Sequence, residues 1–334
     1  MSLSIIIVNY KSATFVVDCI RSAFAFSSAK DFEWIVVDND SKDNSQEVIT
    51  TSFPFVRWVD MGYNAGFSRA NNKAMEIASG DVFLLLNADT IVLNDAIGRC
   101  YQKFIQTQHI ACGVQLLFKD MQPQISGSFF MKGGINHLLP LPYWGGFLKA
   151  VAGVLQTKKP SIEVASSEER VQWLSGAFLM VKRAAVEKAG KMDEDFFLYA
   201  EEIEWCSRLM KTGELYVYGD IKMIHLMGEV IQDATKTADK TYNNLFDKKG
   251  LQLMVSNHLR IRKQYGAAWF LFQLLNFTWA VPVFYVCSFF DNLFHARNPF
   301  HDFAKATALA RNVAAVWKLS PLILRNEPYF YKIL

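Results

Sequence analysis

The sequence predicts an α/β protein with a mostly parallel, Rossmann-like sheet flanked by helices, and an apolar helical extension at its C-terminal end. Three observations carry that prediction. Short apolar runs alternate with helical periods over residues 4–89. The runs are apolar at successive positions, as strands covered on both faces must be, and they end on Asn or Asp.

In chain order, "SIIIVNY" (4–10) is a strand and "SATFVVDCIRSAFAFS" (12–27) an amphipathic helix opening on a serine cap. "FEWIVVDND" (32–40) is a second strand, "SKDNSQEVITTSF" a capped helix, and "FVRWVD" (55–60) a third strand. "GFSRANNKAMEIAS" (66–79) is a helix and "DVFLLLNAD" (81–89) a fourth strand. Residues 121–160, mixing prolines, glycines and large apolar side chains, read as a loop-rich insertion. "VQWLSGAFLMVKRAAVEKAG" (171–190) reads as a strand and a helix, and "MDEDFFLYAEEIEWCSRLMKTG" (192–213) as a loop and a helix stopped by Gly213. "LYVYGDIKMIHLMG" (215–228) is a last strand with His225 near its end. A catalytic domain is expected over 1–250 and a helical, basic, aromatic segment over 251–334.

Ligands of open α/β sheets bind outside the carboxyl ends of the strands. Asn9, Asp38, Asp40, Asn87 and Asp89 stand at such ends and should converge on one rim, which suits a cation or a polar ligand. Mg²⁺ and Mn²⁺ prefer oxygen ligands and are commonly held by one or two carboxylates plus substrate phosphates, so "NAD" (87–89) fits a partial site. The same Asn-Ala-Asp-Thr run also makes an ordinary turn and helix cap.

The 334-residue chain is 51% hydrophobic with a formal net charge of only +3, enough for a sizeable core. Residues 257–334 hold nine Lys or Arg against three acids, which suits an anionic membrane surface; no nucleic-acid module accompanies them. The five cysteines form no paired framework and no CxxC, which indicates a reducing compartment. A strand pattern starts almost at the N-terminus in place of a signal peptide, so the cytoplasmic face of the cell membrane is the expected location. From Gln264 to Phe290 no residue is charged over 27 positions, a length that permits a span. Gln273, Asn276 and Pro282 weigh against one, and Trp269, Trp279, Tyr285 and the flanking bases suit an interfacial anchor; a core helix or a homodimer interface is the other use of such a segment. "VNYKSA" lacks the glycine-rich turn that a dinucleotide oxidoreductase requires.

Six segments taken together resemble the family 2 glycosyltransferases of the GT-A fold, in their rhamnosyltransferase-like branch: "SIIIVNYKS" (4–12), "WIVVDNDSKDNS" (34–45), "GYNAGFSRANNKA" (62–74), "VFLLLNADT" (82–90), residues 173–213 and "IKMIHLMG" (221–228). The resemblance implies a nucleoside-diphosphate sugar donor, dTDP-rhamnose or a UDP-sugar, and a glycan or polyprenyl-diphosphate-linked acceptor. It implies that Asp38 recognises the base, with Asn9, Asp40, Asn64, Arg69 and Asn71 lining the nucleotide pocket. Asn87-Ala88-Asp89 takes the place of the family's Asp-x-Asp motif; Asp89, completed by His225, would ligate Mg²⁺ or Mn²⁺, and Asn87 would face the ribose or a metal-bound water. An amide at the first position removes one charge and should weaken metal affinity. Glu202 stands where the family has its aspartate base, and the longer side chain leaves Glu201 as an alternative; either glutamate could instead be satisfying a helix dipole. Trp173, Ser175 and Gly176 fall where donor sugar and acceptor are contacted. One base opposite a departing nucleoside diphosphate implies inversion. A silent nucleotide-sugar-binding protein is the rival reading.

Overall fold

Residues 1–156, 160–226 and 244–334 are described in a computed structural model of the chain. β1 (Leu3–Asn9) pairs in parallel with β2 (Glu33–Asp38) on one side and β4 (Val82–Leu86) on the other, and β3 (Arg57–Asp60) extends this parallel set beyond β2. Beyond β4 the sheet becomes mixed. β11 (Phe178–Lys182) runs antiparallel to β4 and to β6 (Ala111–Leu117). β12 (Leu215–His225) is parallel to β6 but antiparallel to β5 (Thr90–Val92) and β9 (Glu168–Val171). The mostly parallel character is therefore confined to the first half, because a buried apolar run such as "FLMVK" reads the same in either direction. A small second sheet joins β7 (Gly127–Ser128), β8 (Ser161–Ile162) and β10 (Trp173–Leu174).

Alternation along the central strands divides the core into two layers. Ile5, Ile7, Trp34, Val36, Leu84 and Leu86 join one cluster with Val16 and Ile20 of α1 (Ala13–Phe24) and Ile97 and Phe104 of α4 (Ala96–Ile105). Ile6, Ile35, Val37 and Leu85 are equally buried outside that cluster, and α3 (Gly66–Ile77) packs against β1 and β2. Each such side chain contributes roughly 1.5–3 kcal/mol on burial, which explains why the runs lack polar interruptions. α2 (Ser45–Ser52) packs against α1.

Several boundaries differ from expectation for identifiable reasons. Ser12 precedes α1, but its hydroxyl donates to Asn9 Oδ1 (2.9 Å) instead of capping the helix. Residues 168–182 form three short strands rather than one, followed by α6 (Arg183–Ala189). α7 (Glu201–Leu209) ends before Gly213; that glycine is needed because a Cβ there would lie 2.5 Å from Ile110 Cγ2. The expected loop over 121–160 contains a 3₁₀ segment (Lys132–Leu138) and α5 (Trp144–Val154), hidden from pattern reading by its glycines. Met227 and Gly228, the end of the expected last strand, lie outside the described residues.

The contacts divide the chain into two compact units. The first comprises Met1–Phe129, Ser161–Glu194 and Glu202–Lys240 and holds the sheets. The second comprises Phe130–Pro160, Asp195–Glu201 and Thr241–Leu334. In it α8 (Lys248–Tyr265), α9 (Ala267–Phe294) and α10 (Phe303–Arg325) pack together through Leu259, Phe270, Phe277, Leu309 and Val316. Asp247 caps α8 by accepting the Gly250 N–H at 2.8 Å.

Gly219 interrupts β12 where the register shifts against β6, and a Cβ there would come within 2.0 Å of the Ala165 carbonyl oxygen. Gly219→Ala should destabilise the chain by about 2 kcal/mol in a denaturant titration, in the range of overpacked sites. Gly146→Ala, in a helix with nothing near its Cβ position, should be neutral or stabilising by up to about 1 kcal/mol.

Candidate active site

The rim forms where β1, β2 and β4 end together. Parallel register sets Asn9 opposite Asp38, and both side chains are buried. Asn9 Nδ2 donates to Asp38 Oδ1 (2.7 Å) and to Ser41 Oγ (3.1 Å). Ser41 in turn donates its backbone N–H to Asp38 Oδ2 (3.0 Å) and its hydroxyl to Oδ1 (2.5 Å). Asn39, the next residue, clasps the start of α3 at two points, donating to Gly66 O (3.1 Å) and accepting from Ala65 N (2.9 Å). Asp40 adopts a left-handed φ of 66° and pairs with Lys42 at 3.2 Å.

Asn87-Ala88-Asp89 is the crossing from β4 to β5, stitched on two sides. Asn87 N donates to Ala177 O (3.0 Å), and Asp89 O accepts from Leu226 N (2.8 Å). The β5–β12 register pairs Thr90 with His225, which brings His225 Nε2 to 3.5 Å from Asp89 Oδ1. Gln124 fixes the imidazole: its Nε2 donates to His225 O (2.6 Å) and Leu117 O (3.1 Å), so its Oε1, 3.0 Å from His225 Nδ1, must be the acceptor. His225 therefore donates from Nδ1 to Gln124 and turns Nε2 toward the Asp89 carboxylate. A ring nitrogen held by a polar neighbour while the other faces a carboxylate is typical of metal-ligating histidines.

Neighbouring chemistry agrees with an oxygen and nitrogen donor set. Burial pushes the Cys19 thiol up to about 12, against the lowering effect of its Thr90 contact and with a further rise from Asp89, so its sulfur stays protonated. Among the described residues no group of three or more His, Cys, Asp or Glu side chains suits a metal ion. A carboxylate and an imidazole fit a Mg²⁺ or Mn²⁺ ion that takes its other ligands from phosphate and water. A hollow of about 350 Å³ beside this pair is lined by Phe118, Lys119, Asp120, His225 and Leu226.

The remaining expected residues divide. Glu202 is half-buried on α7, its Cγ 3.6 Å from the position a Cβ would take on Gly176; Phe67 of α3 lies 3.9 Å from the same position. Ser175 and Gly176 precede Ala177, which holds Asn87, so Glu202, the 175–177 turn and the Asn87–Asp89 crossing are linked by direct contacts. Glu201 is buried and falls in the second unit; there burial first, then the charges of Glu201 and Asp247, raise the Tyr199 hydroxyl above its usual range. The two glutamates are thus assigned to different surroundings. Trp173 buries its Nε1 with no hydrogen-bond acceptor among the described residues. Asn64 accepts from Gly66 N (3.2 Å), Arg69 donates to Glu194 O (3.1 Å), and Asn71 donates to Phe67 O (2.9 Å) one turn back on its own helix. Sequence reading missed Ser41, Asn39 and Gln124. "DNDS" flagged the first two by composition alone, while Gln124 comes from a stretch with no periodic signal.

Asp38 accepts three hydrogen bonds, from Asn9 and Ser41, in a buried setting. Asp38→Ala should cost about 2–3 kcal/mol in denaturant unfolding, since it leaves those donors without an acceptor; a loss under about 0.5 kcal/mol would contradict this bonding.

Comparison with known proteins bears on this geometry. Residues 4–144 match the family described as Glycosyl transferase family 2. The low-salt glycan biosynthesis hexosyltransferase Agl10 of Haloferax volcanii is 28% identical over 63% of this chain. The N-acetylglucosaminyl-diphospho-decaprenol L-rhamnosyltransferase of Mycobacterium tuberculosis is 27% identical over 55% of it. Each match covers 62% of the relative's own length. Among solved structures, the mannosyltransferase PcManGT of Pyrobaculum calidifontis, in complex with GDP-Man and Mn²⁺, aligns over 97% of this chain and 84% of its own, with a TM-score of 0.53 and 16% identity. The family match, the rhamnosyl and hexosyl relatives and the GT-A architecture agree: residues 4–144 carry a family 2 glycosyltransferase domain.

Proposed function

We propose that the chain is an inverting glycosyltransferase of the hexosyl type. It moves a sugar, with rhamnose the first choice, from a nucleoside diphosphate to a hydroxyl of a glycan or polyprenyl-diphosphate-linked acceptor in cell-surface polysaccharide synthesis. The observation that carries this reading is the Asp89–His225 pair at 3.5 Å, with Gln124 orienting its imidazole.

In this reading Asp38, held rigid by Asn9 and Ser41, accepts from the base of the nucleotide, and Asn87 faces the ribose. Mg²⁺ or Mn²⁺, when bound, supplies positive charge to the diphosphate. Asp89 and His225 hold that charge where the leaving group develops its own, so no reorganisation is needed as the bond breaks. Glu202 takes the proton of the acceptor hydroxyl as its oxygen bonds to the anomeric carbon, and the nucleoside diphosphate departs from the opposite face with the bonding electrons. The buried Nε1 of Trp173 is available to donate to a sugar hydroxyl. Dimerisation and a membrane-side location belong to the same proposal.

The rival reading, a binder without activity, draws on Asn87 standing where an acid is usual. Kinetics separates the two. Glu202→Gln should lower kcat by about 10²–10⁴ while keeping the thermal stabilisation given by a nucleotide sugar with Mn²⁺, which follows from binding to the folded state alone. Asp89→Ala should lose both. Equal donor turnover in wild type and both variants would remove these roles. Gln124→Leu frees the His225 ring, and Mn²⁺ titration followed by electron paramagnetic resonance should show about 10–100-fold weaker affinity; unchanged affinity would detach Gln124 from the metal.

A further inference from the structure

The second unit exposes many large apolar side chains. α5 buries only one of its residues, Gly145, although "WGGFLKAVAGV" has a single charged side chain. Phe147 is 56% exposed, Val154 84% and the following Leu155 71%. Of the others, only Trp144, Leu148 and Ala152 are even half-buried, so α5 gains little tertiary stability, and eleven residues are marginal alone. Something outside the described chain must cover this one.

α9 lies against the first turn of α5, with Trp144 Nε1 donating to Asn276 Oδ1 (3.1 Å). Its length of 28 residues and its composition would let it cross a bilayer. Its packing argues otherwise. Phe270, Gln273, Leu274, Phe277, Ala280, Phe284, Ser288 and Asn292 form a buried stripe against α8, α10 and the Lys132–Leu138 segment. That stripe includes polar groups bonded to protein, Gln273 to Gly133 O (2.9 Å) and Asn292 to Asp302 Oδ2 (3.0 Å). The opposite face presents Leu271, Leu275, Trp279, Val286 and Phe290 at three- to seven-residue spacings. Its packing partners α8 and α10 are not apolar enough to cross a bilayer with it, so its outer apolar face suits the membrane surface.

Charge selects the occupant. No acid occurs between Asp120 and Glu163, a stretch that carries Lys132, Lys149, Lys158 and Lys159. Lys132 and Lys149 are exposed. Cationic rims attract an anionic lipid surface and repel a second copy of themselves. One side of α5, at Trp144, Gly145, Leu148 and Ala152, is buried or half-buried, and the acyl and headgroup region can take the rest.

We propose that α5 and the outer face of α9 form one interfacial surface that inserts shallowly into an anionic bilayer. α5 is then the principal inserting element, with α9 docked beside it. The purpose assigned to this surface, reaching a lipid-linked acceptor, rests on the proposed function; the observations behind it do not.

The test is flotation of the full chain with vesicles of phosphatidylethanolamine and phosphatidylglycerol, compared with phosphatidylcholine alone. Wild type should float with the anionic vesicles, bind phosphatidylcholine at least tenfold more weakly, lose anionic binding in about 0.5 M salt as expected for screened charges, and come off in alkaline carbonate. The double variant Phe147→Glu/Val151→Glu should bind at least tenfold more weakly, and Val154→Glu, at a position away from any packing, should weaken binding in the same direction. Wild-type flotation by these variants, retention after carbonate, or a variant whose only change is from dimer to monomer would each overturn the proposal. Nucleotide-sugar thermal shifts on the same proteins keep the two readings apart. Vesicle binding without a donor shift would sink the enzymatic reading alone, and a donor shift without vesicle binding would sink the surface alone.

Discussion

β1 runs parallel between β2 and β4, and this pairing makes three strands end at the same edge of the sheet. The chain leaves that edge through Asn9, through Asp38 and Asn39, and through Asn87 to Asp89, so polar groups remote in sequence are delivered to one place before any of them makes a contact. The apolar layers on both sides of the sheet hold the strands in register.

Once the strands end together, the polar side chains must satisfy one another. Asn9, Ser41 and Asp38 do so in a closed set, which leaves the carboxylate rigid. The Asp89–His225 pair is oriented from outside: Gln124 occupies Nδ1 and turns Nε2 to the carboxylate at 3.5 Å. A carboxylate and an imidazole held in place beforehand suit a ligand bringing both metal and phosphate charge. The second unit presents a different surface, with most of α5 exposed despite its apolar composition.

Legibility in the sequence followed the physics of each part. Strands β1, β2 and β4 announced themselves because burial on both faces forbids polar interruption, and Asn9, Asp38 and Asp89 were legible as the polar ends of those runs. Strand direction was not legible: β11 is as apolar as its parallel neighbours yet runs against them. Gln124 was invisible because its role is set by tertiary distance to His225, 101 residues away, and by no local pattern. α5 was hidden by three glycines, which lower helix propensity, while the apolar residues between them gave no amphipathic period. Glu201 and Glu202 were inseparable by spacing alone, and only the contact of Glu202 with Gly176 and the burial of Glu201 in the other unit distinguish them.

The most direct measurement is a crystal structure of the chain grown with a nucleoside diphosphate and Mn²⁺, with the metal located by its anomalous signal. The account predicts a manganese peak between Asp89 and His225 Nε2 that also touches the diphosphate, with the base against Asp38 and the open face of the phosphate toward Glu202. A nucleotide bound away from the carboxyl ends of β1, β2 and β4, or a metal held by neither Asp89 nor His225, would contradict it.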